Sequence, residues 1–480
     1  MDVSEFTACD ATELAKLLKN GDVQASEVHD AAVRAIAEVN PQLNAVADGP
    51  WEKPLDYNAS GPFGGVPFVV KDLVCHTADV PMRAGSRLTG TGGVRFGYET
   101  HLMSRFRDAG FAAAALTTTP EMGFNANTEA LVYGSTHNPW DLDRSPGGSS
   151  GGTAALVAAR AVPAGHANDG GGSIRIPAAF SGLVGLKPSR GRTPLGPDYQ
   201  EALSGLAIEF VLTRSVRDCA GILDAVAGAM PGDKFVIKDP SRPWASEVGA
   251  DPGALRVAVH TGSWAGTGVD PQVAAAVDEV GRQLQAMGHH VESATPVFDW
   301  EAFIASQVSV WCGFLAESVV ALSAASGIEP GPDTLEHTTL ACCERGRDTT
   351  VVQMAEAAAA MNSVCRMVGE FFTNWDLLLT PTANTAALPL GFLDANDASL
   401  DAEGWTRKLF DNCSFTPLFN VTGTPAISLP LGQTSDGLPI GVQVAGPMCG
   451  ESTLIQVASQ LEQAMPWSDR LPPVHAGKAS

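Results

Sequence analysis

The sequence lacks the patterns that most often mark a metal centre or a disulfide-bonded fold. Its nine cysteines form no C-x-x-C pair, and its ten histidines include no H-E-x-x-H motif. A disulfide framework, a structural zinc site and a catalytic metal are therefore all disfavoured. We expect a protein with reduced cysteines, located in the cytoplasm, that uses no cofactor.

Long apolar runs and stretches of positive charge are also missing. No window approaches 18 consecutive apolar residues, so we predict no membrane span. Residues 1–10 carry acidic side chains and no long apolar stretch, which is unlike a secretory signal. The net charge is −23, without any run of lysine or arginine. Because nucleic-acid-binding proteins usually present a basic face, we expect neither nucleic acid nor membrane as a partner.

The composition that remains is that of a large globular enzyme. The 480 residues are 45% hydrophobic and 17% charged, and 50 glycines and 32 prolines provide many tight turns without a repeat. This balance favours an extensive core over a disordered chain. Large α/β enzymes of this length often form one unit, and the Pro- and Asp-rich loop at 232–254 is the best candidate for a seam within it.

Apolar strands alternate with amphipathic helices along the chain, which predicts an α/β fold. An early helix is predicted to begin at the capping residue Ser26 and to stop at Pro41. Further strands are predicted at 67–74, 111–116, 256–260, 375–380, 426–429 and 440–444, and further helices at 98–109, 153–161, 215–229, 270–287, 352–372 and 451–464.

Two glycine-rich loops contain the residues that indicate a chemistry. Residues 147–152 read Gly-Gly-Ser-Ser-Gly-Gly, and a second loop of three glycines ends at a serine. Consecutive glycines let backbone N–H groups converge on one point because no Cβ blocks the turn. Acyl-transfer enzymes need such an oxyanion hole beside a nucleophile. The candidate donors are the N–H groups of Gly170, Gly171, Gly172 and Ser173.

Lys71 is unusual because it lies near the end of a strand that is otherwise apolar. Lysine is rarely fully buried without a partner. Burial disfavours the charged form, so the pKa of such a lysine falls and its neutral form can act as a base. A second serine can bridge this base and a serine nucleophile, since a hydroxyl both donates and accepts a hydrogen bond.

Three other interpretations stay open on the residues alone. The glycine loops could cradle a phosphate, although the motif G-x-x-x-x-G-K-[ST] is absent. Lys71 could be a structural ion-pair partner of Asp72 or Asp169. Ser149 and Ser150 each lie in a G-x-S-x-G pattern like that of α/β-hydrolases, but this pattern does not directly follow a predicted strand.

The stretch from residue 64 to 192 resembles the amidase signature family. Matching segments are GVPFVVKD at 65–72, TPEMG at 119–123, SPGGSSGG at 145–152, DGGGSIRIPA at 169–178, GLVGLKP at 182–188, FNVTGTPAIS at 419–428 and GLPIGVQ at 437–443. Within the family the chain is most similar to the 6-aminohexanoate cyclic-dimer hydrolase type, the nylon-oligomer amidases, through residues 168–169, 213–218 and 231–233. The resemblance implies one amidase domain at 1–480, with a signature core at about 64–195 and a small subdomain at about 232–375.

The resemblance further implies a large mixed β-sheet flanked by α-helices, and a catalytic triad. Ser173 is then the nucleophile, Ser149 the bridging serine and Lys71 the base, with a cis peptide bond between Gly148 and Ser149. Ser173 would attack a carbonyl, pass its proton through Ser149 to Lys71, and form an acyl-enzyme that water hydrolyses. Three more residues match the family pattern and are expected to hold the two glycine loops together by hydrogen bonds: Ser150, Asp169 and Arg175.

The substrate pocket comes from variable segments in this family, so the sequence leaves the substrate open. Four residues are expected to line the pocket, the last of them by its match to a pocket cysteine of the nylon-oligomer type: Met122, Phe124, Trp311 and Cys312. An apolar pocket favours small uncharged or aromatic amides. A carbamate presents a similar carbonyl, so one alternative is a urethanase. Another is the glutamine-amidase subunit of a tRNA-dependent amidotransferase, and family analogy suggests a homodimer.

Overall fold

Thirteen strands form the β-structure of residues 1–478, the part of the chain that the computed structural model describes. They are β1 Val46–Asp48, β2 Pro67–Lys71, β3 Ala112–Thr117, β4 Glu129–Ala130, β5 Gly134–Ser135, β6 Ala164–Asp169, β7 Val184–Lys187, β8 Ile208–Thr213, β9 Arg256–Val259, β10 His290–Ser293, β11 Leu377–Pro381, β12 Ala426–Gln433 and β13 Pro439–Ala445. All but β4 and β5 belong to one 11-stranded sheet, in the order β1-β3-β2-β6-β8-β7-β12-β13-β11-β9-β10.

The sheet is mixed. Strand β2 runs parallel to its neighbours β3 and β6, and β9 runs parallel to β10 and β11. The strands between these two parallel groups pair antiparallel, from β6 through β8, β7, β12 and β13 to β11. A single domain with a large mixed sheet confirms the predicted fold class.

Fourteen α-helices flank the sheet. They are α1 Val3–Ala8, α2 Ala11–Asn20, α3 Ala25–Leu43, α4 His101–Ala109, α5 Gly151–Ala158, α6 Arg175–Ser181, α7 Val216–Val226, α8 Pro271–Ala286, α9 Trp300–Ser326, α10 His337–Arg347, α11 Val351–Asn374, α12 Ala402–Asn412, α13 Pro417–Thr422 and α14 Glu451–Ala464. The predicted bounds of α14 are correct, and α4, α7, α8 and α11 begin and end within a few residues of their predicted limits.

Both predicted ends of α3 are wrong. Gln24, and not Ser26, is the N-cap, and its backbone N–H donates to the Glu27 carboxylate at 2.8 Å. Pro41 lies inside the helix, which continues to Leu43. Proline lacks the N–H of a helical hydrogen bond, and the helix ends two residues after it, with Asn44 as a left-handed C-cap.

The topology places both glycine loops at one edge of the sheet. Strands β2 and β6 are parallel neighbours, and they end at Lys71 and Asp169. Helix α5 begins at Gly151, within the first glycine loop, and α6 begins at Arg175, two residues after the end of the second. Carboxyl ends of adjacent parallel strands meet at one edge, which is where α/β proteins commonly build a site.

Helix α9 is long and apolar enough, by length and composition, to cross a membrane, with a mean hydropathy of 1.6 over 18 residues. Counting consecutive apolar residues did not reveal this helix, because Ser, Gln and Glu interrupt its apolar run. Half of that window is buried inside the protein, where α9 packs against α10, α11 and α12. A buried core helix of a globular enzyme can be as long and as apolar as α9.

The proposed bounds of a signature core at about 64–195 and of a subdomain at about 232–375 stay predictions.

Candidate active site

Lys71 and Ser149 are in direct contact at the end of β2. The side-chain nitrogen Nζ of Lys71 lies 2.7 Å from Ser149 Oγ and 2.6 Å from Asn168 Oδ1. Lys71 is completely buried and Ser149 nearly so. The peptide bond between Gly148 and Ser149 is cis, as the resemblance implies. Two short polar contacts therefore fix the amine beside a serine hydroxyl.

The two carboxylates that the sequence offered as ion-pair partners of Lys71 are bound to other residues. Asp72 accepts a hydrogen bond from the Tyr133 hydroxyl, and Asp169 forms an ion pair with Arg175. Within residues 1–478, Lys71 has hydrogen bonds to a hydroxyl and an amide but no salt bridge. This arrangement argues against Lys71 as a structural ion-pair residue.

Burial lowers the pKa of Lys71 from an ordinary 10.5 to about 7, although the negative charges of Glu209 and Asp169 oppose the change. Loss of solvent disfavours the ammonium more than these neighbours stabilise it. A neutral amine has two N–H groups and one lone pair. With one N–H directed at Asn168, the lone pair can accept a proton from Ser149.

Ser173 lies on the loop between β6 and α6 and lines the same cavity as Ser149. This cavity has about 40 Å³ of free space, and only 8% of Ser173 is exposed to solvent. Among the described residues, no hydrogen bond joins the Ser149 and Ser173 hydroxyls, and Ser173 Oγ has no other protein partner. The Ser173 hydroxyl is therefore free to contact a bound carbonyl.

In the loop at residues 170–173, two carbonyls accept hydrogen bonds from the protein, while the backbone N–H groups remain free. The Thr416 hydroxyl donates to the Gly171 carbonyl, and the Ile176 N–H donates to the Gly172 carbonyl, both at 2.7 Å. The backbone N–H groups of residues 170–173 donate to no protein group within residues 1–478. Gly172 has a φ of 141°, and a Cβ added there would lie 2.3 Å from Thr416 Oγ1. The conformation requires glycine and presents the donors that an anion needs.

A buried ion pair anchors this loop. Arg175 Nη2 and Nε lie 2.8 and 2.9 Å from the two carboxylate oxygens of Asp169, and both side chains are fully buried. Burial raises the pKa of Asp169, but the Arg175 charge outweighs it and holds that pKa at about 2. The Ser150 hydroxyl donates to the Asn168 carbonyl at 3.3 Å, which links the two loops. The structure thus places all three predicted supporting residues in the loop framework.

Aromatic side chains close the cavity around Ser173. The rings of Phe124 and Trp311 stack with centroids 4.4 Å apart and an interplanar angle of 12°. Both rings line a second small cavity that also reaches Ser173, and Met122 lines the cavity shared with Ser149. Met122, Phe124 and Trp311 form an apolar part of the wall, and the indole N–H of Trp311 is buried without a partner among the residues described. Polar side chains complete the lining: Asn125 in the second cavity, and Asn168, Asp169 and Glu209 in the cavity shared with Ser149.

Comparison with known proteins agrees with this geometry. Residues 24–455 match the family model described as Amidase. The chain belongs to the amidase family. It is an amidohydrolase, a hydrolase that cleaves amide bonds.

Two relatives of this amidase are named 6-aminohexanoate-cyclic-dimer hydrolase. The protein from Pseudomonas sp. (strain NK87) is 37% identical over 474 residues, and that from Paenarthrobacter ureafaciens is 38% identical over 474 residues, with 96% of each chain covered. A solved structure of 6-aminohexanoate cyclic dimer hydrolase superposes with a TM-score of 0.92 at 36% identity, covering 98% of this chain and 99% of that one. The similarity to this type of amidase is confirmed.

Cys312 has a different position from the other three predicted pocket residues. It is fully buried in the core beside Cys342, and it lines neither of the cavities that reach Ser173. Successive helical residues are rotated by about 100°, so Trp311 and Phe314 face the site while Cys312 faces α10. The buried position of Cys312 indicates that it packs in the core and does not contact the substrate.

Sequence reasoning missed the polar layer behind Lys71. Asn168 Nδ2 lies 3.4 Å from Glu209 Oε1, and Asn168 and Glu209 are register partners on β6 and β8. His166 Nε2 lies 3.4 Å from the same Glu209 oxygen, and Glu209 lines the cavity that holds Ser149 and Ser173. The available signal was the presence of polar residues within two otherwise apolar strands, which costs free energy unless the polar groups pair or act.

Proposed function

We propose that this amidase cleaves amides through an acyl-enzyme on Ser173. Ser173 Oγ attacks the carbonyl carbon while its proton passes to Ser149, whose own proton passes to neutral Lys71. The N–H groups of Gly170, Gly171, Gly172 and Ser173 bind the oxyanion. Lys71 returns the proton through Ser149 to the leaving nitrogen, and water then hydrolyses the ester by the same route.

The observation that carries this proposal is the 2.7 Å contact between Lys71 Nζ and Ser149 Oγ. A completely buried lysine bound to two neutral groups has no structural ion-pair role, and its pKa of about 7 makes it a base at neutral pH. Because Lys71 contacts the Ser149 hydroxyl, the proton of Ser173 passes to Ser149 before a proton reaches Lys71. Ser173, with a free hydroxyl next to unbound N–H donors, fits the nucleophile.

For the substrate we propose small uncharged or aromatic amides, including nylon-type oligomers. The Phe124–Trp311 stack supplies an apolar wall for aliphatic or aromatic groups. The identities of 37% and 38% with cyclic-dimer hydrolases over nearly the whole chain favour amides of aminohexanoate. Carbamates offer the same carbonyl to Ser173 and are the urethanase alternative.

The role of an amidotransferase subunit is less well supported. Such a subunit supplies ammonia from glutamine to a partner protein, and its site needs polar groups for a free amino acid. The part of the cavity wall formed by Phe124 and Trp311 is aromatic, and among the described residues neither arginine nor lysine lines the cavities that reach Ser173 to receive an α-carboxylate. Gel filtration combined with a glutaminase assay separates the two roles.

The test is a substrate panel measured with matched variants. Anilides, linear and cyclic aliphatic amides and carbamates are compared by kcat/KM. We expect Ser173→Ala and Lys71→Met to lose at least about 1,000-fold, as for other nucleophile and base removals. Lys187→Met is the control, because Lys187 is equally buried but donates to the Pro188 carbonyl and touches neither serine. Near-normal hydrolysis by either triad variant would contradict the proposal.

A further inference from the structure

Two larger cavities adjoin the small one that contains Ser149 and Ser173. Their volumes are about 330 and 460 Å³. Phe314 lines all three cavities, and Leu73, Val74 and Met122 line both the 330 Å³ cavity and the catalytic one. The larger cavities therefore share walls with the catalytic cavity and lie where a part of the substrate beyond the scissile bond could be held.

One face of α9 forms a common wall of these cavities. Trp311 borders the catalytic cavity, Phe314 lies one turn further on, and Glu317 follows after another turn. The remaining α9 side chains that line the 330 Å³ cavity are small or apolar: Ser318, Ala321, Leu322 and Ala325. Glu317 is thus the one charged group on an otherwise apolar helix face.

The Glu317 carboxylate is exposed and lines both larger cavities. It has no hydrogen bond and no salt bridge to any residue that the structure describes. The other two carboxylates around the larger cavities differ in this respect. Asp198 binds His76 and Tyr98, and Glu201 pairs with Lys234.

The charged side chains that line the region are acidic, and two cations lie behind the lining, where Lys234 binds Glu201 and Arg345 donates to the Thr349 hydroxyl. Neither lysine nor arginine is found among the described residues that line the two larger cavities or the catalytic one. Tyr199 lies in both larger cavities, and burial together with the charges of Glu317, Asp198 and Glu209 raises its pKa to about 12. A cation entering these cavities is attracted, and an anion is repelled.

We propose that Glu317 forms a subsite for a protonated amine at the end of an apolar arm of the substrate. This inference rests on the proposed function, because it places the scissile carbonyl at Ser173. The distance along α9 from Trp311 to Glu317 is about 9 Å, at about 1.5 Å per residue. That is close to the extended length of a 6-aminohexanoyl chain. Within the nylon-type oligomers of the proposed function, the subsite then adds a preference for amides that carry an ammonium group about this far from the scissile carbonyl.

Three p-nitroanilides of equal acyl length test the subsite. Their chains end in an ammonium (6-aminohexanoyl), a methyl (heptanoyl) or a carboxylate (the adipic monoanilide). We expect kcat/KM for the ammonium compound to exceed that of the methyl compound about fivefold, as for an exposed ion pair, and the carboxylate compound to be the poorest. The ammonium preference falls as salt is raised, because screening weakens exposed pairs. A second series of amides carries the same three end groups on the amine side of the scissile bond. It tests whether the arm that reaches Glu317 belongs to the leaving amine instead of the acyl group.

Glu317→Gln should reduce the ammonium-to-methyl ratio to about one. Glu370→Gln, which neutralises an exposed carboxylate on α11 outside the three cavities, should leave that ratio unchanged. Equal kcat/KM for the three end groups in both series, or an ammonium preference that survives Glu317→Gln, overturns the subsite while the serine mechanism stands. If kcat/KM of the wild-type enzyme is no higher than that of Ser173→Ala for any of these compounds, the proposed function itself is overturned.

Discussion

Acidification should inactivate this amidase by protonating Lys71. Lysine with its ordinary pKa of 10.5 would be neutral in only about one molecule in 3,000 at pH 7. With a pKa of about 7, about half of the molecules hold a neutral Lys71 at that pH. Burial therefore supplies a factor of roughly 1,000 in the fraction of active base, equivalent to about 4 kcal/mol.

The direction of the pH dependence follows from which form is active. Only neutral Lys71 can accept the proton of Ser149, so activity needs a pH above the Lys71 pKa. We expect kcat/KM to be level above about pH 8 and to fall about tenfold for each pH unit well below pH 7. Lys71→Arg should be inactive throughout, because a guanidinium stays protonated.

The assay is kcat/KM for one uncharged anilide from about pH 4 to about pH 11, with folding followed by circular dichroism over the same range. An uncharged substrate ensures that the profile reports groups of the free enzyme. An acid limb centred below pH 5, or a profile that still rises through pH 10, would refute the reasoning on Lys71. Unfolding that coincides with the acid limb would refute it as well.

Three further substitutions test the surroundings of the triad. Glu209→Gln removes a negative charge that raises the pKa of Lys71, so the acid limb of kcat/KM should move to lower pH by about one pH unit; an unchanged limb would mean that Glu209 does not act on Lys71. Gly172→Ala places a Cβ 2.3 Å from Thr416 Oγ1 at a φ of 141° and should lower kcat about 100-fold by disturbing the oxyanion donors, whereas Gly369→Ala, with open space around it, should have no effect. Arg175→Met leaves Asp169 buried and unpaired and should lower the free energy of unfolding by about 3–5 kcal/mol in urea titrations. Breaking the partly exposed pair in Arg407→Met should cost less than about 1 kcal/mol, and equal costs would argue against the anchoring role of the buried pair.

Much of the fold and of the loop framework could be predicted because the decisive signals are local. Glycine runs require particular backbone conformations, and a lysine at the end of an apolar strand is noticeable in any sequence. The resemblance assigned Asp169 and Arg175 to the framework of the second glycine loop, and the structure shows their ion pair at its two ends. The mixed sheet followed from the resemblance and not from periodicity, since a buried strand reads the same in parallel and antiparallel pairs.

The polar layer behind Lys71 could not be predicted, because it depends on strand register. Asn168 and Glu209 are separated by 41 positions in sequence and meet only because β6 and β8 pair antiparallel in one register. A slip of one of these strands by one residue would place the two side chains on opposite faces of the sheet. The prediction that Cys312 lines the pocket failed for a similar reason. Neighbouring residues on α9 point in directions about 100° apart, so Trp311 faces the cavity while Cys312 faces the core.

The most direct test of the central role of Ser173 is to trap the acyl-enzyme. An activated ester or anilide is mixed with enzyme, quenched in acid within the first turnovers, and analysed by mass spectrometry of the intact chain and of its proteolytic peptides. The account predicts one added acyl group, located on Ser173, and its absence in Ser173→Ala. An acyl group on Ser149 or Ser150, or normal turnover by Ser173→Ala, would contradict the account.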